Sequence, residues 1–144
     1  MPETVTRAAV VAAARAWIGT PWVHQHRTQG VAVDCAGLVI GVARQLGIVP
    51  ACFDITGYER YPDGSLVSLC STYMDPVSKA DMRPGDVLVV AVDKDPQHLG
   101  FLGDYRHGGL SLIHAALHRG VVETRLMFAR NLRYRGAFTL RGVA

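Results

Sequence analysis

The chain has 144 residues, 49% of them hydrophobic and 19% charged, with a formal net charge of +3. That length supports one domain with a genuine core and not two comfortable ones, so a single compact, soluble, enzyme-sized domain is expected over residues 1–144. Thirteen Arg against two Lys carry the charge, and Arg125, Arg130, Arg133, Arg135 and Arg141 crowd the C-terminal end; with no interleaved aromatic platform and no nucleic-acid module, the excess reads as a solvated basic face, and nucleic acid is not expected as a partner.

Residues 4–18 predict an Ala-rich helix with Val5, Ala9, Ala12, Ala13, Ala16 and Trp17 on one side, ended by Gly19-Thr20-Pro21. The Ala/Val run from Ala8 to Ala14 is closed by Arg15 and lacks a basic leader. It therefore reads neither as a signal peptide nor as a membrane span, and synthesis in the cytoplasm without stable membrane insertion is expected. Thr20 to Val33 is a predicted loop holding Trp22, His24, His26, Arg27 and Gly30.

The stretch that follows organises the chain. Cys35, Leu38, Val39, Val42, Ala43 and Leu46 form the stripe of a buried helix, with Asp34 at the N-cap position and Gly47 where the helix stops. Cys35 thus falls at the first helical position, where unpaired N–H groups and the helix dipole lower a thiol's pKa and favour the nucleophilic thiolate. On its own the stretch favours the plainer reading, a small core residue opening a buried helix. Three cysteines (Cys35, Cys52, Cys70) are an odd count without paired metal spacing, so reduced thiols and no metal are expected.

Ile48 to Gly64 looks irregular, and Ser65 to Tyr73 predicts a third, short helix. The pattern then changes. After the turn Arg83-Pro84-Gly85-Asp86, Val87–Val92 is a continuous apolar run of strand length, and Asp93 to Gln97 is a polar loop. His98–Gly103, Leu110–Ala115, Val121–Leu126 and Arg133–Leu140 are further strands. Helices followed by an antiparallel meander make an α+β pattern.

His98 and His114 flank the predicted turn Arg106-His107-Gly108-Gly109. Pairing them directly opposite centres the hairpin on residue 106 and puts both rings on one face, whereas a slip of one residue separates them. A thiol at a helix N-terminus with two neighbouring histidines has a clear chemical use. One imidazole takes the Cys35 proton and later protonates a leaving amine, and a second polar group fixes that ring's tautomer. The Cys35 backbone N–H and one further donor would meet the oxyanion. His24 and His26, flanking Gln25, either line a substrate groove or are solvent-exposed loop residues, while His107 and His118 sit in surface turns. No H-E-x-x-H or C-x-x-C spacing is present to support a zinc site.

Taken together, Gly19-Thr20-Pro21-Trp22, Asp34-Cys35-Ala36-Gly37-Leu38-Val39, Arg83-Pro84-Gly85-Asp86, His98-Leu99-Gly100-Phe101 and Ile113-His114-Ala115, in that order, resemble the NlpC-type papain-like cell-wall cysteine peptidases over essentially the whole chain. The loop from Trp22 to Arg27 and the ending Tyr134-Arg135-Gly136-Ala137-Phe138 resemble most the branch encoded among phage tail genes. The resemblance implies a papain-like core, an antiparallel sheet packed on the Cys-bearing helix. It also implies Cys35 as nucleophile, His98 as general base, His114 as the residue orienting His98, no metal or cofactor, and peptidoglycan stem peptides as substrate. Substrate contacts are expected from Trp22, His24, Asp34 and Ala36. Ala36 stands where the family commonly has Ser, and Trp22 where Tyr is usual; both departures bear on the cleavage site rather than on the chemistry. The expected partners are peptidoglycan and the proteins of a phage-like tail or baseplate, which would carry a leaderless protein to the wall. Two other readings share this pattern: a structural tail-tip or adaptor module that keeps the fold, and an acyltransferase or amidase using the same Cys-His-His set.

Overall fold

The computed structural model describes residues 4–56, 65–92 and 95–144, with residues 95–97 described by backbone alone. Helix α1 spans Arg7–Arg15, and its N-cap Thr6 accepts a hydrogen bond from the Ala9 amide. Its buried side is Val10, Val11 and Ala14, continued past the helix end by Trp17, while Ala12 and Ala16 face solvent. The expected stripe of alanines is therefore out of phase. Among small residues the two valines carry most of the apolar surface, and they decide which side is buried. The helix also ends three residues before the predicted Ile18.

The predicted loop before Asp34 contains a small hairpin, β1 (Arg27–Thr28) with β2 (Ala32–Val33). Helix α2 then spans Cys35–Gln45, and every residue from Ala36 to Ala43 is buried. One apolar stripe was expected. The helix is instead enclosed on most sides, by α1, by the β1–β2 hairpin, and by the strands described next. Gly41 makes this closeness possible: a Cβ there would lie 2.5 Å from the Trp17 ring, whose Nε1 donates to Gln45 at 3.0 Å. Residues 48–56 carry no regular element, and the rest of the stretch expected to be irregular, residues 57–64, lies outside the described residues. Helix α3 spans Ser65–Tyr73 as predicted and runs directly into an unpredicted strand, β3 (Met74–Val77).

The remaining strands are β4 (Val87–Val92), β5 (Asp95–Asp104), β6 (Leu110–Ala116), β7 (Gly120–Arg125) and β8 (Leu132–Leu140). Strand β5 begins inside the expected 93–97 loop. The six-stranded antiparallel sheet has the order β3-β8-β4-β5-β6-β7. Strands β4 to β7 form the expected meander, but β8 returns past it to pair with β4 on the other side, and β3 pairs with β8 at the edge. Pro76 in β3 is tolerated there because an edge strand leaves one row of N–H groups without a ladder role.

Both faces of the sheet are covered. Val87, Val89, Leu99, Phe101, Ile113 and Phe138 join Val10, Trp17, Leu38 and Val42 in the main core. Leu88, Val90, Leu102, Leu112 and Ala137 form a second core, roofed by Val77, Met82, Leu126, Phe128 and Tyr134. Asp86, fully buried, ties helix to sheet: it accepts from Arg7 Nη1 at 2.7 Å, the Arg83 amide at 2.8 Å and Thr139 Oγ1 at 2.6 Å. The helices and sheet form the expected α+β architecture.

Candidate active site

The N-terminus of α2 is fixed from Asp34. Its carboxylate accepts from the Gly37 amide at 2.7 Å and, through the other oxygen, from the Gln25 amide at 2.7 Å. Arg27 Nη1 stands 3.5 Å from one oxygen and His24 Nδ1 3.8 Å from the other. With 2% exposure, Asp34 anchors the 24–27 loop to the helix and presents no carboxylate to solvent. Ala36 is likewise buried, lining an apolar cavity of about 250 Å³ together with Leu66, Cys70 and Leu99. Of the four residues expected to contact substrate, the structure thus places Asp34 and Ala36 inside, and Trp22 and His24 on an open cleft.

Cys35 is partly exposed and is a free thiol. It sits where β5 and β6 part company. The two strands pair only from Phe101 with Ile113 to Asp104 with Leu110. Along β5 the N–H groups alternate between edges, and Leu102 sends its own to Asp86 beside β4, so Leu99 sends its N–H to the β6 side. At Leu99 no β6 partner remains, and its amide lies near enough to the Cys35 thiol to favour the thiolate, as do the amides of Ala36 and of Cys35 itself. Burial, followed by the charge of Asp34, pushes the thiol up to about 12, and the three amides only partly offset this. The expected lowering by the helix N-terminus is real but loses to desolvation, which favours the neutral thiol.

His98 precedes Leu99, and its Nε2 lies 2.6 Å from His114 Nδ1, with the rings edge-on at 4.9 Å between centroids. The register that joins them differs from the one expected. Phe101 faces Ile113, so the hairpin centres on residue 107 and Gly100, not His98, comes opposite His114. The shift is by two residues, which preserves parity, and both rings still project on one face. Gly100 provides the room: a Cβ there would lie 2.9 Å from the Cβ of His114. Burial, and then the neighbouring His114, pushes His98 down to about 3; burial, and then the charge of Arg119, pushes His114 down to about 4. Both imidazoles are neutral near pH 7.

The structure therefore gathers Cys35, His98 and His114 at one end of the β5–β6 fork. Three participants were not legible as such: the Leu99 amide, the Gly100 gap and Arg119. A helix-capping Cys followed downstream by His-x-Gly on a strand is the signal that points to the first two. Cys70, buried below α2, is pushed up to about 12 by burial and then by Cys35, while Cys52 is exposed. Among the described residues no group of three or more His, Cys, Asp or Glu is placed to hold a metal ion. None of the described helices is long and apolar enough to cross a membrane.

The open cleft, of about 570 Å³, lies between Gly19–His24 and the β6–β7 turn and includes neither Cys35 nor the histidine pair in its walls. It adjoins them through Trp22, which bridges to Val33 two residues before Cys35, and through Arg119, whose charge is felt at His114.

No protein-family model matches the sequence, and no curated protein does. Solved structures do match. The NlpC/p60 domain of the peptidoglycan hydrolase SagA is 24% identical with a TM-score of 0.64, over 94% of this chain and 100% of that one. An NlpC/p60 family protein from Bacillus cereus is 19% identical (TM-score 0.66, 93% of this chain and 40% of that one). NlpC2 from Trichomonas vaginalis is 16% identical (TM-score 0.65, 97% and 48%). The chain thus spans the whole of the first and less than half of the other two. At these identities the likeness establishes the fold: the three helices and six-stranded sheet are the NlpC/p60 arrangement.

Proposed function

We propose that this chain is a single-domain cysteine peptidase that cleaves the stem peptides of peptidoglycan. The observation that carries the reading is the hydrogen-bonded pair His98 Nε2···His114 Nδ1 at 2.6 Å, on a strand whose next amide, that of Leu99, lies near the Cys35 thiol. A base must keep an unprotonated nitrogen for the nucleophile. With Nε2 of His98 donating to Nδ1 of His114, the Nδ1 of His98 is left free to accept the Cys35 proton. His114 thereby fixes the tautomer and orientation of the base.

Because burial holds thiol and imidazole neutral, proton transfer accompanies attack on the carbonyl carbon. The Cys35 proton passes to His98 as the S–C bond forms, and the oxyanion is met by backbone N–H groups at the start of α2. Imidazolium His98 then protonates the leaving amine, the C–N bond breaks, and an acyl-enzyme remains. Water, activated by His98, attacks the acyl carbon and releases the carboxylate and the free thiol. No step calls for a metal or cofactor. The solved structures that share the fold include a domain of a peptidoglycan hydrolase, which supports the choice of substrate.

The resemblance of Trp22–Arg27 and Tyr134–Phe138 to the branch encoded among phage tail genes supports carriage on a phage-like tail, with synthesis in the cytoplasm and delivery to the wall on the particle. Probing purified particles for the chain checks that part.

Digestion of purified peptidoglycan by wild-type protein and Cys35→Ala, with fragments identified by mass, tests the chemistry. New amino and carboxyl ends within the stem, absent with Cys35→Ala, are expected. Equal fragments from both proteins would remove Cys35 as nucleophile. Transfer to an amine instead of water would show as new amide products and indicate an acyltransferase. Binding of the polymer without cleavage by either folded protein would favour an adaptor module.

A further inference from the structure

Strand β6 runs from His114 into the turn Leu117–Arg119 and returns as β7, and this turn forms one wall of the open cleft. The wall is firmly held. Gly19 donates to Val121 at 3.0 Å, Val121 donates to Thr20 at 2.9 Å, and the Arg119 amide donates to Ala116 at 3.0 Å. His118 adopts φ 68°, a left-handed conformation uncommon for a non-glycine residue. His24 on one wall faces the turn carrying His118 and Arg119, and among the described residues that line the space Arg119 brings a fixed positive charge and no carboxylate is present. Trp22, Val23 and Leu117 make the remainder apolar, the last two 39% and 43% exposed. Arg119 is exposed, and its guanidinium has no side-chain hydrogen bond or ion pair among the described residues.

We propose that this cleft is a substrate subsite that binds a free carboxylate of the peptide, with Arg119 as its counter-charge, and that it thereby selects which peptides reach Cys35. The inference rests on the peptidase reading and adds to it the chemistry of one substrate residue. A guanidinium fork matches a carboxylate through two parallel hydrogen bonds, and its charge is concentrated where low-dielectric walls exclude part of the solvent. The apolar wall suits the aliphatic carbons that carry such a carboxylate, and the volume is that of a small-ligand or short-peptide site. Arg119 lies five residues beyond His114 on the same hairpin, close enough for its charge to be felt at that ring, so the cleft adjoins the catalytic pair.

The test uses synthetic stem peptides in which one carboxylate at a time is converted to the carboxamide, with kcat/KM measured for wild type, Arg119→Gln and Arg119→Lys. For one carboxylate, wild type is expected to prefer the free acid by about tenfold or more, the size of one charge-assisted contact. Arg119→Gln should bring that ratio close to one, chiefly through KM, and Arg119→Lys should restore part of it. A ratio unchanged in Arg119→Gln overturns the proposal, as does a shift of the pH profile that is the same for acid and amide peptides, since that would mean Arg119 acts only on His114. If wild type cleaves none of the peptides, the peptidase reading fails. Titration calorimetry of the same peptides with Cys35→Ala then decides the cleft by itself: an Arg119-dependent preference for the acid supports it, and equal binding of acid and amide overturns it.

Discussion

The register between His98 and His114 shows what single residues reveal and what they do not. Period-two alternation fixes the face, so a hairpin centre misplaced by one residue still puts both rings together; the strand partner of each ring depends on turn geometry, which Tyr105–Gly109 sets. The dual use of Asp34 was less legible, because an N-cap carboxylate and a substrate-binding carboxylate are the same residue in a sequence, and only its burial and two amide partners distinguish them. Ala36 is a similar case. For the histidines the consequence is kinetic. His98→Ala is expected to lower kcat by about 10²–10⁴-fold, the usual worth of a positioned base, with a smaller loss for His114→Ala. His114→Asn recovers part of that loss, because an amide oxygen can still accept from His98 Nε2. Burial and then the neighbouring ring hold His98 near 3, so kcat/KM should stay flat as pH falls through the ordinary imidazole range. His114→Ala opens the site to water and takes away the neighbour that lowers His98, so the acid limb should move up toward 6.5. A limb already at 6.5 in wild type would mean that His98 is solvated in the working enzyme.

At the scale of elements, the helix carrying Cys35, helix α3 and the longer strands were legible because their apolar runs are long and bounded by Gly and Pro. The two-residue strands β1 and β2 carry too few residues for any period, and β3 contains a proline that argues against a strand unless the edge position is known. Helix α1 was phased on Val5, four alanines and Trp17; Trp17 is buried as expected, but Val10, Val11 and Ala14 take the buried side in place of Ala12 and Ala16. That packing supplies a sharp test at Gly41. In an exposed helix, Gly→Ala stabilises by about 0.5–1 kcal/mol. Here the added methyl would lie 2.5 Å from the Trp17 ring, and crowding a packed core costs about 1–3 kcal/mol. The second effect outweighs the first, so Gly41→Ala should lower the urea midpoint with m unchanged. Trp17→Phe in the same background should recover more than the two single changes predict by addition, since the smaller ring makes room. A stabilised Gly41→Ala protein would mean that α1 and α2 do not pack at Trp17.

Across the whole molecule, the strand order was the least legible feature. Apolar runs specify which face a strand buries, not which strand it pairs with, and β8 joins β4 and β3 through contacts distant in sequence. The same packing desolvates four titratable groups, His98, His114 and Cys35 of the site and Cys70 below its helix, and this shapes stability against pH from both ends. The imidazoles are lowered, to about 3 and about 4, so below 6.5 the unfolded chain binds protons that the native state refuses, and stability falls as pH falls. Glu123, held low first by its hydrogen bond to Arg15, adds to this loss only below its ordinary 4.5, which leaves the window from 6.5 to 4.5 to the histidines. The thiols are raised from 9.0 to about 12, so above 9.0 the native state keeps protons that the unfolded chain gives up, and stability falls as pH rises. Each group contributes a slope approaching about 1.4 kcal/mol per pH unit inside its window. Urea unfolding from pH 4.5 to 10.5 should therefore give a plateau between 6.5 and 9 with a decline on either side. His114→Asn should shallow the acid limb and leave the alkaline one; Cys70→Ala should do the reverse, lowering the plateau by its lost packing while flattening the fall above 9. If the acid limb persists in full after both histidines are replaced, the buried site is not what limits stability below neutral pH.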